Sequence, residues 1–345
     1  MKKRKSNWKR TLLIVSCCVL GVLLTLALTG MILVYNLLDG IERIDGTEFS
    51  LSLEEIEEML KETDPDIDPS LTEPEGDYSS PLDPANPVVK NENIINILLV
   101  GQDRESGNWR QRSDAMILCT INKETKTLTM TSFLRDLYVT IPGYGNDKLN
   151  ATYAYGGFPL MNETLLHQFG VSADYNVCVD FSRFRQVIDL AGGVDINLTA
   201  AEATHLNKQD ARWFLTAGIN HLDGEQALAY SRIRALDNDF GRTNRQKAVL
   251  EALFSKARTM DYMQLYSFAD QCMPMLITDM TNQDILSVIV EVLPILSELQ
   301  LVSQRIPVDD YFQYARIDGK SVLYLTDTHW EKARELIAST MGRTQ

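Results

Sequence analysis

Carboxylates and cations in this 345-residue chain gather beside the ends of apolar runs. Asp103 closes Val100-Gly101-Gln102-Asp103, Asp114 stands in Arg112-Ser113-Asp114, and Arg135-Asp136 follows the apolar end of another run. Asp147 and Lys148 lie in a glycine-containing loop after Ile141-Pro142-Gly143. Farther on come Arg232, Arg234, Asp239, Arg242, Arg245 and Gln246. In open α/β sheets, ligands and reacting groups collect where strands end. Two carboxylates on neighbouring strand ends can hold Mg²⁺ through oxygen, leaving its other positions to water and substrate phosphate. Arginines converging from distant segments suit a diphosphate, because each guanidinium forks onto two phosphate oxygens. Arg232 and Arg234, two apart on an expected extended segment, would share a face. Arg242 and Arg245 flank Thr243, read here as a helix cap, where the dipole and free N–H groups favour an anion. Taken singly, each of these residues is more often a solvated surface charge or a salt-bridge partner than a site residue.

Other chemistries find no support. The chain has no Walker A loop, no Gly-x-Gly-x-x-Gly after a strand, no Gly-x-Ser-x-Gly and no His-Glu-x-x-His. Its four histidines, His167, His205, His221 and His329, are dispersed. Of five cysteines, Cys119 and Cys178 sit in apolar strand-like runs and read as buried, inert thiols.

The elements that must carry these groups are legible. Ile94–Val100 is a continuous apolar run ended by Gly101, a buried strand. Residues 115–121 and 127–134 form two more strands joined by the polar stretch 122–126 as a hairpin. Residues 160–169 followed by Gly170 predict a helix and its C-cap. Residues 175–181, 182–190 and 194–198 predict strand, helix and strand. Thr243 with Gln246 predicts the start of a helix running to about Arg258. Beyond it, helices are expected at about 262–272, 282–297 and 327–340, with short strand-like pieces at 301–306 and 322–325.

Charge is unevenly distributed. Residues 1–10 carry six cations and no acid, whereas 39–93 carry 17 acids against three cations and hold six of the eleven prolines. Between them, Thr11 to Leu38 is 28 residues without a charge. Roughly 20 apolar residues span a bilayer core, and basic flanks stay cytoplasmic. The expected layout is a cytoplasmic tail (1–10), a transmembrane helix (11–38) and an acidic, proline-rich extracytoplasmic stalk (39–93). A sheet domain (94–257) and a C-terminal extension (258–345) follow. The expected fold class is α/β: a layered α/β/α sheet domain with an N-terminal transmembrane helix and a mostly helical C-terminal extension. The mildly acidic remainder argues against nucleic-acid binding by bulk electrostatics.

Ten blocks, in order, resemble those of the LytR–CpsA–Psr family. They are Asn96–Asp103, Arg112–Asp114, Ser132–Asp136, Ile141–Gly143 with Asp147–Asn150, Ala154–Gly157, Val179–Phe181, Gly192–Asp195, Leu222–Leu228, Ser231–Arg234 and Arg242–Gln246. The resemblance covers about 94–255 and does not obviously reach 258–345. It implies a membrane-anchored phosphotransferase that moves an undecaprenyl-pyrophosphate-linked glycopolymer, such as teichoic acid or capsule, onto a peptidoglycan hydroxyl. Carried over by position, Asp103 and Asp114 would hold Mg²⁺, with Mn²⁺ as a substitute. Arg112, Lys148, Arg232, Arg234, Arg242, Arg245 and Gln246 would grip the diphosphate, while Arg135, Asp136 and Asp239 would serve the chemistry. A tunnel for the polyprenyl chain would be lined by Phe181, Phe184, Val187, Ile188 and Leu190. Two departures stand out: Arg104 directly follows Asp103 with Glu105 in the family's usual arginine place, and Leu134 replaces a common proline. Alternative readings are a non-catalytic envelope regulator, a lipid-pyrophosphate phosphatase, or a binding module without turnover.

Overall fold

The structure, a computed structural model, describes residues 41–43, 91–102, 111–237, 239–308 and 310–341, without the side chains of Asp239, Tyr262 and Asp327. The expected transmembrane helix, nearly all of the stalk, and Asp103 lie outside the described residues. No described helix is long and apolar enough to cross a membrane.

In chain order the elements begin with β1 (Glu42–Arg43), β2 (Ile94–Gln102), β3 (Ser113–Asn122) and β4 (Thr127–Phe133). A hairpin of β5 (Tyr138–Ile141) and β6 (Gly145–Lys148) follows, then α1 (Ala151–Phe169), β7 (Tyr175–Asp180) and α2 (Phe181–Leu190). Next come β8 (Val194–Leu198), α3 (Ala200–Gln209), β9 (Gly218–Leu222), α4 (Gly224–Ser231) and α5 (Asp239–Ala257). The chain continues through α6 (Tyr262–Cys272), β10 (Ile277–Thr278), α7 (Asn282–Val292) and β11 (Gln300–Ile306). It ends with β12 (Gln313–Ile317), β13 (Lys320–Tyr324) and α8 (Asp327–Thr340).

Seven strands form the central sheet in the order β1-β10-β7-β2-β3-β4-β11. Residues alternate between two covered faces, which explains why β2 reads as an unbroken apolar run. On one face, Ile94, Leu98 and Val100 join a core with Met161, Leu165 and Phe169 of α1 and Trp330, Ala333 and Ile337 of α8. On the other, Ile95, Ile117 and Ile121 meet Leu250 and Phe254 of α5 and Val288 and Val292 of α7. The result is the expected α/β/α layering. A separate cluster, including Ile188, Val194, Leu206, Leu222 and Val249, holds α2, the β8–β9 hairpin, α3, α4 and α5 together. Gly224 opens α4 against the backbone of α2, where an added Cβ would come within 2.2 Å of the Arg185 carbonyl oxygen.

Three expectations are corrected. The C-terminal part is not a mostly helical extension. It supplies β10 and β11 to the central sheet, β11 pairing in parallel with β4 from Gln300↔Thr127 to Ile306↔Phe133, and it adds the β12–β13 hairpin. The strand pieces at 301–306 and 322–325 are short, so their long-range pairing left little local signal. The helix expected at 160–169 is the second half of α1: Gly157 (φ 61°, ψ −149°) and Pro159 interrupt the helix just before it. Finally, α5 starts at Asp239, so Thr243 lies within the helix rather than at its cap.

The expectation of inert thiols agrees with the structure. Cys178 and Cys272 are buried and Cys119 is half-buried, and none of the three is in a disulfide. Burial pushes the Cys119 thiol up to about 12 and that of Cys272 up to about 11.

Candidate functional site

Register decides which charged residues meet. β2 and β3 are antiparallel with Gln102 opposite Ser113, the residues just before Asp103 and Asp114. β7 runs parallel to β2 and ends with Asp180 opposite Gln102. β3 and β4 pair with Ile117 opposite Ser132; continuing that register three residues places Asp114 opposite Arg135. The C-terminal ends of β2, β4 and β7 and the start of β3 therefore share one edge of the sheet, where such folds bind ligands.

Backbone hydrogen bonds then fasten the Lys148–Asn150 segment to that edge. Leu149 N–H donates to the Leu137 carbonyl at 2.7 Å, Asn150 N–H to Arg135 at 3.1 Å, and Ser113 N–H to Asn150 at 3.2 Å. Three segments separated in sequence are thus held as one surface.

On this surface four cations converge on two carboxylates. Arg135 Nη1 lies 3.1 Å from Asp114 and its Nε 3.3 Å from Asp136. Lys148, almost fully buried, reaches Asp136 at 2.9 Å. Arg234 and Arg242 approach Asp114 at 3.6 and 3.9 Å. Gln246 Nε2 donates to the Asp114 backbone carbonyl at 3.5 Å. Asp114 and Asp136 keep 18% and 15% of their side chains exposed, enough for a ligand to reach them while screening is reduced. Among these described side chains cations exceed carboxylates by two, which favours a polyanion.

Behind the cluster, Asp147 accepts hydrogen bonds from Tyr155 Oη at 2.5 Å and Lys320 Nζ at 2.8 Å. Burial pushes the Asp147 carboxyl up. The bonds from Lys320, Tyr155 and the Lys148 N–H outweigh that and hold it below the usual carboxylate range. Burial and the Asp147 charge push the Tyr155 phenol well up, while the positive charge of Arg112 acts in the opposite sense. Arg112 therefore lies near this second network. A depressed carboxyl contributes stability above its unfolded value, about 3.9, and that contribution fades as pH falls through the lower folded value. Lys320→Met is accordingly expected to destabilise the protein at pH 7, with the penalty shrinking as pH falls below about 4. Chemical denaturation of both proteins at several pH values checks this; a penalty independent of pH would contradict it.

The remaining expected residues are placed differently. Arg245 is turned into the fold, its guanidinium contacting Glu202 at 2.7 Å, Asp237 at 2.5 Å and the Ile233 carbonyl at 2.9 Å. It braces the 233–237 segment rather than facing the cluster. Arg232 is not on an extended strand. It is the C-cap of α4 (φ −100°, ψ −2°), so strand alternation does not align it with Arg234, and its guanidinium lies 4.6 Å from the Phe181 ring centroid. Asp239 opens α5, and its side chain lies outside the described residues. Of the five proposed tunnel residues, Ile188 is core and Phe184 packs against it. Val187 is half-buried, and Leu190 lines a cavity of about 690 Å³ between α2 and α6 with Met260, Met263 and Phe268. Tyr155 and Lys320 were not singled out from sequence. Tyr155 stands in one of the ten blocks, whereas Lys320 meets Asp147 across 173 residues, a separation with no local signature.

A Mg²⁺ ion fits the donor set. Asp114 offers a hard oxygen ligand at the partly exposed edge. Among the described residues no group of three or more His, Cys, Asp or Glu side chains could form an all-protein cage. Mg²⁺ is typically held by one or two carboxylates with phosphate and water completing the octahedron.

A layered α/β domain thus carries a cationic strand-end cluster suited to an anion, and comparison with known proteins gives its family. The LytR_cpsA_psr family model matches residues 54–337, and the chain belongs to that family. The match extends past 257, correcting the expectation that the resemblance stops near 255. The polyisoprenyl-teichoic acid–peptidoglycan teichoic acid transferase TagT of Bacillus subtilis is 36% identical over 178 residues, 50% of this chain and 55% of TagT. TagU of Oceanobacillus iheyensis, a transferase of the same name, is 33% identical over 253 residues, 69% of this chain and 68% of its own length. For TagT and several others, the matched stretch is only about half of the relative's length. A structure of TagT with bound octaprenyl pyrophosphate lipid superposes with a TM-score of 0.57 at 25% identity, covering 79% of this chain and all of that one.

Proposed function

We propose that this protein is a membrane-tethered phosphotransferase that moves a polyprenyl-pyrophosphate-linked glycopolymer onto a peptidoglycan hydroxyl and releases polyprenyl phosphate. The observation that carries this reading is the convergence of Arg135, Lys148, Arg234 and Arg242 on Asp114 and Asp136 at one sheet edge. The bound lipid pyrophosphate in the related TagT structure supports the same ligand chemistry.

Arg135, Arg234 and Arg242 bind the diphosphate through forked hydrogen bonds, and Lys148 adds a point charge beneath it. Asp114, with Asp103, would hold Mg²⁺ (or Mn²⁺), whose charge would supply neutralisation at the phosphates. The acceptor oxygen attacks the phosphorus that bears the sugar, and the bond from that phosphorus to the bridging oxygen breaks. The electron pair leaves with polyprenyl phosphate. The hydroxyl proton passes to Asp136 or Asp239, the carboxylates left for that task once Asp103 and Asp114 are committed to the ion. Little covalent chemistry is asked of the protein, so positioning and charge stabilisation carry the rate. The span at 11–38 would hold the domain at the lipid surface where such a donor resides.

Asp114→Asn keeps the shape and removes the charge. Transfer by the full chain is expected to fall by at least about a hundredfold in this variant, and to vanish in excess chelator and return with Mg²⁺. Undiminished transfer in chelator would remove the ion from the reading. Unimpaired transfer by the variant would remove Asp114 from it.

A further inference from the structure

Beside the cluster lies a run of aromatic rings with no part in holding the diphosphate. Phe240, in the first turn of α5 and two residues before Arg242, packs against Phe312 with ring centroids 4.7 Å apart. Phe312 meets Tyr314 edge-on at 5.5 Å. The guanidinium of Arg305, next to last in β11, lies 4.2 Å from the Phe240 centroid. The outer end of the run is open, with Tyr314 47% exposed; Tyr311, 37% exposed, stands edge-on to the His329 ring at 5.4 Å.

The register ties this shelf to the reacting edge. Tyr314 pairs with Leu323 across the β12–β13 hairpin. The Leu323 N–H donates to the backbone carbonyl of Asp136 at 2.8 Å. β11 ends beside the same loop, since the Leu134 N–H donates to the Ile306 carbonyl at 2.9 Å. One hairpin thus fixes both the backbone of Asp136 and the position of the exposed ring.

We propose that the Phe312–Tyr314 shelf is the acceptor subsite and takes the sugar rings of a polysaccharide chain. The proposal rests on the phosphotransferase reading above and names the part of the site that reading leaves without residues. Three observations favour a saccharide. Partly exposed aromatic rings present flat apolar faces to sugar C–H groups and leave the tyrosine hydroxyls to bond sugar oxygens. The hairpin that carries Tyr314 is hydrogen-bonded to the Asp136 backbone, so a chain lying along the shelf would bring a hydroxyl to the diphosphate. The Arg305 guanidinium against the Phe240 ring gives the inner end of the shelf a positive rim. That rim suits the carboxylate or phosphate substituents of wall polysaccharides.

The test uses the full-length protein in detergent micelles and two probes: a neutral tetramer of β-1,4-linked N-acetylglucosamine, and octaprenyl pyrophosphate. Equilibrium binding of each is measured for wild type, Tyr314→Ala, Tyr311→Ala and Phe214→Ala. Phe214 is an exposed aromatic (90%) in the segment between α3 and β9 and serves as the control. The tetramer is expected to bind wild type and the Phe214 variant equally. Its Kd should rise at least about fivefold in Tyr314→Ala, while octaprenyl pyrophosphate binds all four proteins alike. Where transfer is assayed, the acceptor KM should rise in Tyr314→Ala with the donor KM unchanged. Equal tetramer binding by all four proteins, or none by wild type, overturns the shelf and leaves the diphosphate site standing. Loss of octaprenyl pyrophosphate binding by wild type would instead overturn the reading on which the shelf rests.

Discussion

Replacing Arg135 with alanine is expected to lower the kcat/KM for transfer by about a thousandfold, the scale of a transition-state arginine in phosphoryl transfer. Arg135 contacts both carboxylates of the cluster, at 3.1 Å to Asp114 and 3.3 Å to Asp136. It can therefore follow charge as it moves from the bridging oxygen to the departing phosphate. Arg135→Lys keeps the charge and loses the fork, and about 10- to 100-fold of activity should go with it. Thermal stability should change little in either variant, because Lys148, Arg234 and Arg242 still face the two acids. Steady-state kinetics with a lipid-pyrophosphate saccharide, alongside a melting curve, decides the matter. Activity within tenfold of wild type in Arg135→Ala would remove this residue from the chemistry.

Much of this arrangement was legible in the sequence, and what escaped shares a physical cause. β2, β3 and β4 are local apolar runs with turn residues between them, so their limits were readable to within about two residues. Once their pairing is antiparallel, the meeting of Asp114 and Arg135 follows from register alone. What could not be read was long-range pairing by short elements. β10 contributes only Ile277 and Thr278 to the sheet, and Lys320 serves Asp147 from the far end of the chain. Arg232 and Arg234 show the limit of spacing arguments. Two residues apart means one face on a strand but roughly opposite sides on a helix, and Arg232 closes a helix. Arg245 shows the limit of composition, since a guanidinium beside phosphate ligands in sequence is occupied instead by Glu202 and Asp237.

That last residue gives the second large effect, on stability rather than turnover. Arg245 and Glu202 are both buried at their contact, with Asp237 half-open beside them. Hydrogen bonds hold the Glu202 carboxyl low and the Arg245 guanidinium high, each overcoming the opposing push of burial. Arg245→Met would leave a buried carboxylate without its cation, a loss of about 3–5 kcal/mol. For a domain of this size the midpoint should fall by about 6–20 °C. Below that midpoint, kcat/KM should stay within a few fold of wild type, because Arg245 does not face the cluster. Scanning calorimetry with kinetics at low temperature separates the two roles. A stable variant that has lost lipid-pyrophosphate binding would mean that Arg245 is a ligand after all.

The central claim is that a phosphoryl-linked sugar moves from a lipid pyrophosphate to a wall hydroxyl at the Asp114–Asp136 edge. It is tested most directly by incubating the full-length protein in micelles with Mg²⁺, a polyprenyl-pyrophosphate saccharide and uncross-linked peptidoglycan strands, then analysing all products by mass spectrometry. The expected result is polyprenyl monophosphate in equal amount to a phosphodiester joining the saccharide to the strand, with both formed about a thousandfold more slowly in Arg135→Ala. Polyprenyl monophosphate accompanied only by free saccharide phosphate would make the protein a pyrophosphatase. Intact donor after prolonged incubation, despite demonstrable donor binding, would contradict a catalytic role altogether.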